Sequence, residues 1–315
     1  MNPSLTERQR LAAIDATTIA DRTEAHARNA HPGTLTRTVP LVAGLRTPLL
    51  QAGDGQADEA VVFVHGNPGS GEDWRALLVG AGSFARVLAP DLPGFGTADK
   101  PADGFDYTVE GYARHLGALL DAQGVRRAHL VLHDFGGPWG LAWAAAQPGR
   151  VASVTLVNTG VLLGYRWHYL AKIWRTPLVG EIFQATTTRP AFKALLGIGN
   201  PRGLPADLLD RMFAHYDAGT RRAVLKLYRA TSRPDQAALA LQQALAPQRI
   251  PALVVWGRAD PYIPVRQAEL QRRTFEVERV VVLDRSGHWP FADDPDAVAG
   301  AVLPFLRARV GRAGR

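Results

Sequence analysis

The stretch HLVLHDFGGPWGLAWAAA, residues 129–146, decides the fold. Its first residues form a short apolar run of the length a buried strand takes. Gly136 and Gly137 then mark a sharp turn, and an alanine-rich run that favours helix follows them. Strand, tight turn and helix together make an elbow with Asp134 at its apex. Such a turn lifts one side chain out of the sheet and tolerates only small neighbours, because its backbone is crowded. An aspartate in front of a helix also serves as an ordinary N-cap, so the elbow by itself leaves both roles open.

Working outward, the partners that an elbow nucleophile needs come after it in the order acid, then histidine. Asp260 follows the apolar run LVVWG in WGRAD, and His288 follows VVVLD in DRSGHWP. Each lies just past a strand end, where open α/β sheets place their ligand crevice. Upstream, VFVHGNPGSGEDW ends a strand in His65, Gly66, Asn67 and Pro68. That loop is expected to supply one oxyanion-hole N–H, from Asn67, and the residue after the nucleophile, Phe135, to supply the other. Asn158, at the end of VASVTLVN, is either a holder of the attacking water at the pocket or a strand-end cap.

Short apolar runs at 60–64, 85–89, 129–132, 154–157, 252–256 and 279–283 alternate with helix-patterned segments. This is the signature of an α/β fold, a mostly parallel sheet with helices on both faces. Runs at 35–42 and 45–51 are expected to form a leading antiparallel hairpin at the sheet edge, giving eight strands. From about residue 161 to 246 the strand signal vanishes, and aromatic, basic, helix-forming residues broken by Pro and Gly replace it. The expected division is an exposed helical arm over 1–34, an α/β core over 35–160 and 247–315, and an inserted helical cap over 161–246.

The formal charge of +7 comes almost wholly from arginine and is scattered, with Lys100, Lys172, Lys193 and Lys226 the only lysines. No stripe for nucleic acid emerges, and the basic tail Arg307, Arg309, Arg312 and Arg315 reads as a solubilising end. The absence of cysteine excludes disulfides, thiolate nucleophiles and zinc–thiolate sites. No apolar run suits a signal peptide or membrane span, so a cytoplasmic protein without membrane partners is expected. Neither a phosphate loop nor a dinucleotide fingerprint occurs, and no cofactor or metal is implied. The chain is expected to act as a monomer or homodimer.

The ordered set HGNPGS, APDLPGFGTADKP, HDFGG, WGRAD and SGHWP resembles the aspartate-nucleophile branch of the α/β-hydrolase superfamily, which contains epoxide hydrolases and haloalkane dehalogenases. The resemblance spans about residues 35–306 and implies an α/β-hydrolase fold with Asp134, Asp260 and His288 as its triad. His133 and Asp91 match the pattern as supports of the turns. Asn67 resembles the halide-contacting asparagine of many dehalogenases, but Phe135 stands where those enzymes carry an indole donor. LeuTyrArg at 227–229 resembles the epoxide-hydrolase motif that carries a ring-opening tyrosine, which makes Tyr228 a candidate acid. Its partner would come from GYRWHY, where Tyr165 and Tyr169 both qualify, while Trp167, Trp174 and Trp289 are candidates for the pocket wall.

The chemistry follows from the nucleophile. A carboxylate is ionised at neutral pH and needs no activating base. Its attack on an acyl carbon gives an anhydride that collapses back, whereas attack on a saturated carbon bearing an epoxide oxygen or halogen gives a stable ester. A neutral His288 oriented by Asp260 would then direct water onto that ester. A departing alkoxide needs a proton donor and a halide needs only N–H donors, so the tyrosines favour epoxide hydrolysis over dehalogenation. Ester hydrolysis and a non-catalytic binding role rank below both, since no Gly-x-Ser-x-Gly elbow occurs and no triad member is missing. The expected partners are a small hydrophobic organic substrate and water.

Overall fold

The computed structural model describes residues 34–311, so residues 1–33 of the expected arm lie outside the described residues, as do Arg312 and Arg315. The strands in chain order are β1 (Thr36–Thr38), β2 (Leu41–Val42), β3 (Leu45–Arg46), β4 (Leu49–Ala52), β5 (Glu59–Val64), β6 (Arg86–Pro90), β7 (Arg127–His133), β8 (Val151–Val157), β9 (Pro251–Gly257) and β10 (Glu276–Leu283). Eight of them form one sheet in the order β1-β4-β6-β5-β7-β8-β9-β10. Pairing is antiparallel between β1 and β4 and between β4 and β6, and parallel from β6 through β10.

The leading edge differs from a simple hairpin. β1 and β4 do pair antiparallel, with Thr36 opposite Gln51. The chain between them folds into its own ribbon, β2 against β3. Pro40 and Pro48, which cannot donate to a ladder, interrupt the runs on either side of it. Thr47 N closes the ribbon's base by donating to Pro40 O at 2.9 Å.

The central register positions the site. Val64, Leu132, Leu156, Val254 and Val280 stand side by side across β5, β7, β8, β9 and β10. The strands therefore end along one edge, and the segments holding Asn67, Asp134, Asn158, Asp260 and His288 leave the sheet together there. Helices Val109–Ala122 and Gly136–Ala146 pack against each other on the sheet. Trp139 of the second stacks on Tyr112 of the first at 4.1 Å between centroids. Each large buried ring of this kind stabilises the core by about 2–3 kcal/mol.

Between β8 and β9 the chain forms six helices, Tyr169–Arg175, Val179–Thr186, Arg189–Ile198, Ala206–His215, Ala218–Ala230 and Pro234–Leu245. Their amphipathic pattern puts Leu227, Tyr228, Val224 and Ala223 of the fifth inward. Asp217 caps that helix by accepting from Thr220 N at 2.9 Å, and its other carboxylate oxygen meets Lys100 Nζ of the sheet side at 2.7 Å. Among the described residues no helix is long and apolar enough to cross a membrane.

Candidate active site

Asp134 follows β7 with φ +47°, a left-handed conformation that costs an ordinary residue of the order of 1–3 kcal/mol. The surroundings hold it there. Thr159 Oγ1 donates to Asp134 O at 2.6 Å, and Asn67 N donates to its Oδ1 at 2.7 Å. Neighbouring glycines are required by contact, because a Cβ on Gly66 would lie 2.3 Å from the Asp134 Cβ. The turns beneath are braced by His65, whose Nε2 accepts from Leu92 N at 3.1 Å, and by Asp91, which accepts from Gly71 N and Thr97 N at 2.8 Å each.

His288 faces two carboxylates. Its Nδ1 lies 2.7 Å from Asp260 Oδ2, and its Nε2 lies 3.6 Å from Asp134 Oδ2. Asp260 is held ionised. Burial works to raise its pKa, but His288 and the N–H groups of Asn158, Tyr262 and Ile263 outweigh burial and lower it. Asp134 behaves likewise, burial opposing ionisation while His288, His133 and Asn67 N bring its pKa to about 2. Burial lowers the His288 pKa as well, but the two carboxylates override it and lift the value to about 10. With both carboxylates ionised the ring is thus favoured in its protonated form, and the neutral His288 expected for the hydrolysis step requires that one of those charges be removed first. Its backbone is also fixed, as His133 Nε2 donates to His288 O at 2.7 Å and His288 N donates to Gly199 O at 3.2 Å.

Two apolar cavities meet at this point. One, of about 530 Å³, is lined by Asp134, His288, Asn67, Trp174, Trp289 and Tyr262 together with Phe192 and Leu195 of the inserted helices. The other, of about 670 Å³, is lined by Asp134, Phe135, Tyr165 and Trp167 with Pro138, Leu162 and Leu241. Tyr228 lines both, and its hydroxyl accepts from Asn67 Nδ2 at 3.4 Å. Burial and the nearby Asp134 charge push its pKa well above the ordinary phenol value, so it stays protonated.

The remaining candidates divide. Tyr165 reaches the wall, but its hydroxyl donates to Tyr262 O at 3.2 Å and is committed there. Tyr169 is 47% exposed and lines neither cavity, so the structure removes it from the candidate donors. Asn158 also leaves the pocket. It is fully buried behind Asp260, giving Nδ2 to Asp260 Oδ2 at 2.7 Å and accepting from Gly257 N at 2.9 Å. The indole N–H groups of Trp167, Trp174 and Trp289 are buried without a partner.

His168 completes the wall, and sequence reasoning passed over it. It lines both cavities, and its Nδ1 accepts from Ala171 N at 3.2 Å as the N-cap of helix Tyr169–Arg175. A ring whose Nδ1 accepts must carry its proton on Nε2. Burial brings its pKa down to about 4 despite Asp134, so at neutral pH it is an uncharged N–H donor. Its signal was present in GYRWHY, a histidine among aromatics immediately before a helix.

Comparison with known proteins agrees with this architecture. The alpha/beta hydrolase fold family matches residues 59–295, and the chain belongs to that family. It is 29% identical over 275 residues to the cis-3-alkyl-4-alkyloxetan-2-one decarboxylase of Xanthomonas campestris pv. campestris, covering 80% of this chain and 90% of that protein. It is 28% identical over 258 residues to haloalkane dehalogenase 2 of Mycobacterium bovis, covering 77% and 86%. The solved structure of the epoxide hydrolase CorEH superposes with a TM-score of 0.73 at 20% identity, covering 87% of this chain and 99% of that one.

Proposed function

We propose that this hydrolase opens an apolar epoxide through a covalent ester of Asp134 and releases a vicinal diol. The observation that carries the reading is the pairing made by Asn67. Its backbone N–H holds Asp134 Oδ1 while its side chain meets the Tyr228 hydroxyl, so carboxylate and phenol face one cavity.

In the first step Asp134 Oδ2 attacks a ring carbon and the carbon–oxygen bond breaks. The departing alkoxide takes hydrogen bonds from Tyr228 and His168 Nε2–H and a proton from Tyr228, which recovers one from solvent. Ester formation removes one of the two charges that keep His288 protonated, so the ring gives its proton to solvent and becomes a base. Oriented by Asp260, it directs water onto the ester carbonyl, and the oxyanion is met by the N–H groups of Asn67 and Phe135. His288 takes a proton from that water and returns it to the leaving oxygen as the intermediate collapses, which releases diol and restores the Asp134 carboxylate.

A second reading, dehalogenation, draws support from Trp174, whose unpartnered indole N–H lies in the wall of the cavity that holds Asp134. A product assay by mass spectrometry against mixed epoxides and bromoalkanes, with Asp134→Ala alongside, separates the two. Diol that disappears in the variant supports the first reading, and alcohol with bromide from bromoalkanes alone supports the second. Turnover independent of Asp134 overturns both.

A further inference from the structure

Three residues line both cavities: Asp134, His168 and Tyr228. In the proposed function these are the attacking group and the two donors to the leaving oxygen. The reacting ring therefore sits at a waist, with separate space on either side of it. One side runs past His288 toward Phe192 and Leu195, and the other past Phe135 toward Leu162 and Leu241. Apart from Asp134 at the waist, no aspartate, glutamate, lysine or arginine lines either side, and His288 lines the first side alone. His288, the one cation in the lining, is already engaged by Asp134 and Asp260, so the mainly apolar walls favour an uncharged, apolar occupant in each lobe.

From this geometry we infer that the substrate is an internal epoxide, substituted at both ring carbons by uncharged apolar arms, rather than a terminal one. The inference rests on the epoxide reading of the site. A terminal epoxide with its oxygen on Tyr228 and His168 fills one lobe and leaves the other without apolar contact. An internal isomer of the same formula fills both. The terminal isomer carries all of its arm carbons on one side, and every two methylenes that a single lobe leaves unburied cost about 1.6 kcal/mol, or somewhat more than tenfold in binding.

The test compares 5,6-epoxydecane, cis and trans, with its isomer 1,2-epoxydecane, measuring kcat/KM by diol formation. An internal isomer should be preferred by about tenfold or more. Two variants assign the lobes: Leu195→Trp should obstruct the first and Leu241→Trp the second. Each alone should depress turnover of the internal epoxide while sparing the terminal one, which can place its single arm in the open lobe. Together they should depress both. Preference of the unmodified protein for the terminal isomer overturns the inference even if a variant fails to fold. So does a single block that slows both isomers equally. If no epoxide gives diol and none adds its mass to Asp134 in a His288→Gln chain, the Asp134 reading itself falls and this inference with it.

Discussion

His288 Nε2 lies 3.6 Å from Asp134 Oδ2, close enough for each residue to set the other's charge. With Asp260 on its other nitrogen, the ring's pKa rises to about 10, while that of Asp134 falls to about 2. Asp134→Asn should therefore bring the His288 pKa down from about 10 toward its ordinary value of about 6.5, read by NMR titration of the imidazole. The raised His288 pKa stabilises the fold fully below the unfolded value and loses that contribution as pH climbs through about 10. The depressed Asp134 pKa contributes above the carboxylate's unfolded value and loses its share as pH falls through about 2. An unchanged titration in the variant would show that Asp134 does not govern the base.

The donors above Asp134 should act on the first step. Tyr228→Phe removes the proton source and should slow ester formation from an epoxide by about a hundredfold or more. His168→Asn keeps an acceptor for Ala171 N but removes the cavity N–H, and should slow the same step by about tenfold. His168→Gln places an N–H near the lost Nε2 and should recover part of that loss. Single-turnover mass spectrometry in a His288→Gln background reads each rate. Equal rates for all three chains would remove the acid role from Tyr228 and the donor role from His168.

The elbow and its partners were legible because each depends on local order: an apolar run, a tight turn, one polar residue at the strand end. β7 extends beyond the apolar run that revealed it, from Arg127 to His133, because backbone hydrogen bonds continue past the point where side-chain pattern stops. His168 was hidden for a different reason. Its donor exists only because Ala171 N occupies the other ring nitrogen, a fact of three dimensions. Tyr165 and Asn158 are the reverse case. Their residue types fit the chemistry, yet each spends its polar group on a structural neighbour, Tyr262 O and Asp260 respectively.

Asp91 tests how much the turns beneath the site depend on one buried carboxylate. It is 3% exposed and accepts from Gly71 N, Thr97 N and Thr97 Oγ1 at 2.8, 2.8 and 2.9 Å. Asp91→Ala strands those donors and should cost about 2–4 kcal/mol in urea unfolding. Arg37→Ala removes from a partly exposed guanidinium a 3.4 Å contact with Asp91, another with Glu72 and a hydrogen bond to Thr97 Oγ1, and should cost about 1 kcal/mol, well below the Asp91 loss. Similar losses from the two would show that Asp91 acts as an ion-pair partner and not as a backbone anchor.

The loop after helix Arg189–Ile198 reaches back to hold the main chain of His288 and Trp289. His288 N donates to Gly199 O at 3.2 Å, Trp289 N donates to Asn200 Oδ1 at 3.1 Å, and Asn200 Nδ2 is itself tied to Leu196 O at 2.6 Å. The approach is tight enough that a Cβ on Gly287 would lie 1.4 Å from Gly199 O. In the proposed mechanism ester formation needs only Asp134 and the donors, whereas hydrolysis needs His288 in register with the ester carbon, which would make Asn200 a positioning residue for the second step alone. Asn200→Ala should leave the rate of ester formation unchanged and slow hydrolysis by about tenfold or more, so that the covalent ester accumulates in intact-mass spectra at steady state. Asn200→Asp keeps an acceptor for Trp289 N but loses the donor to Leu196 O and buries a carboxylate beside it, so it should restore only part of the hydrolysis rate. A merely loosened fold would slow both steps together, and that result would deny the inserted helices any part in placing the base.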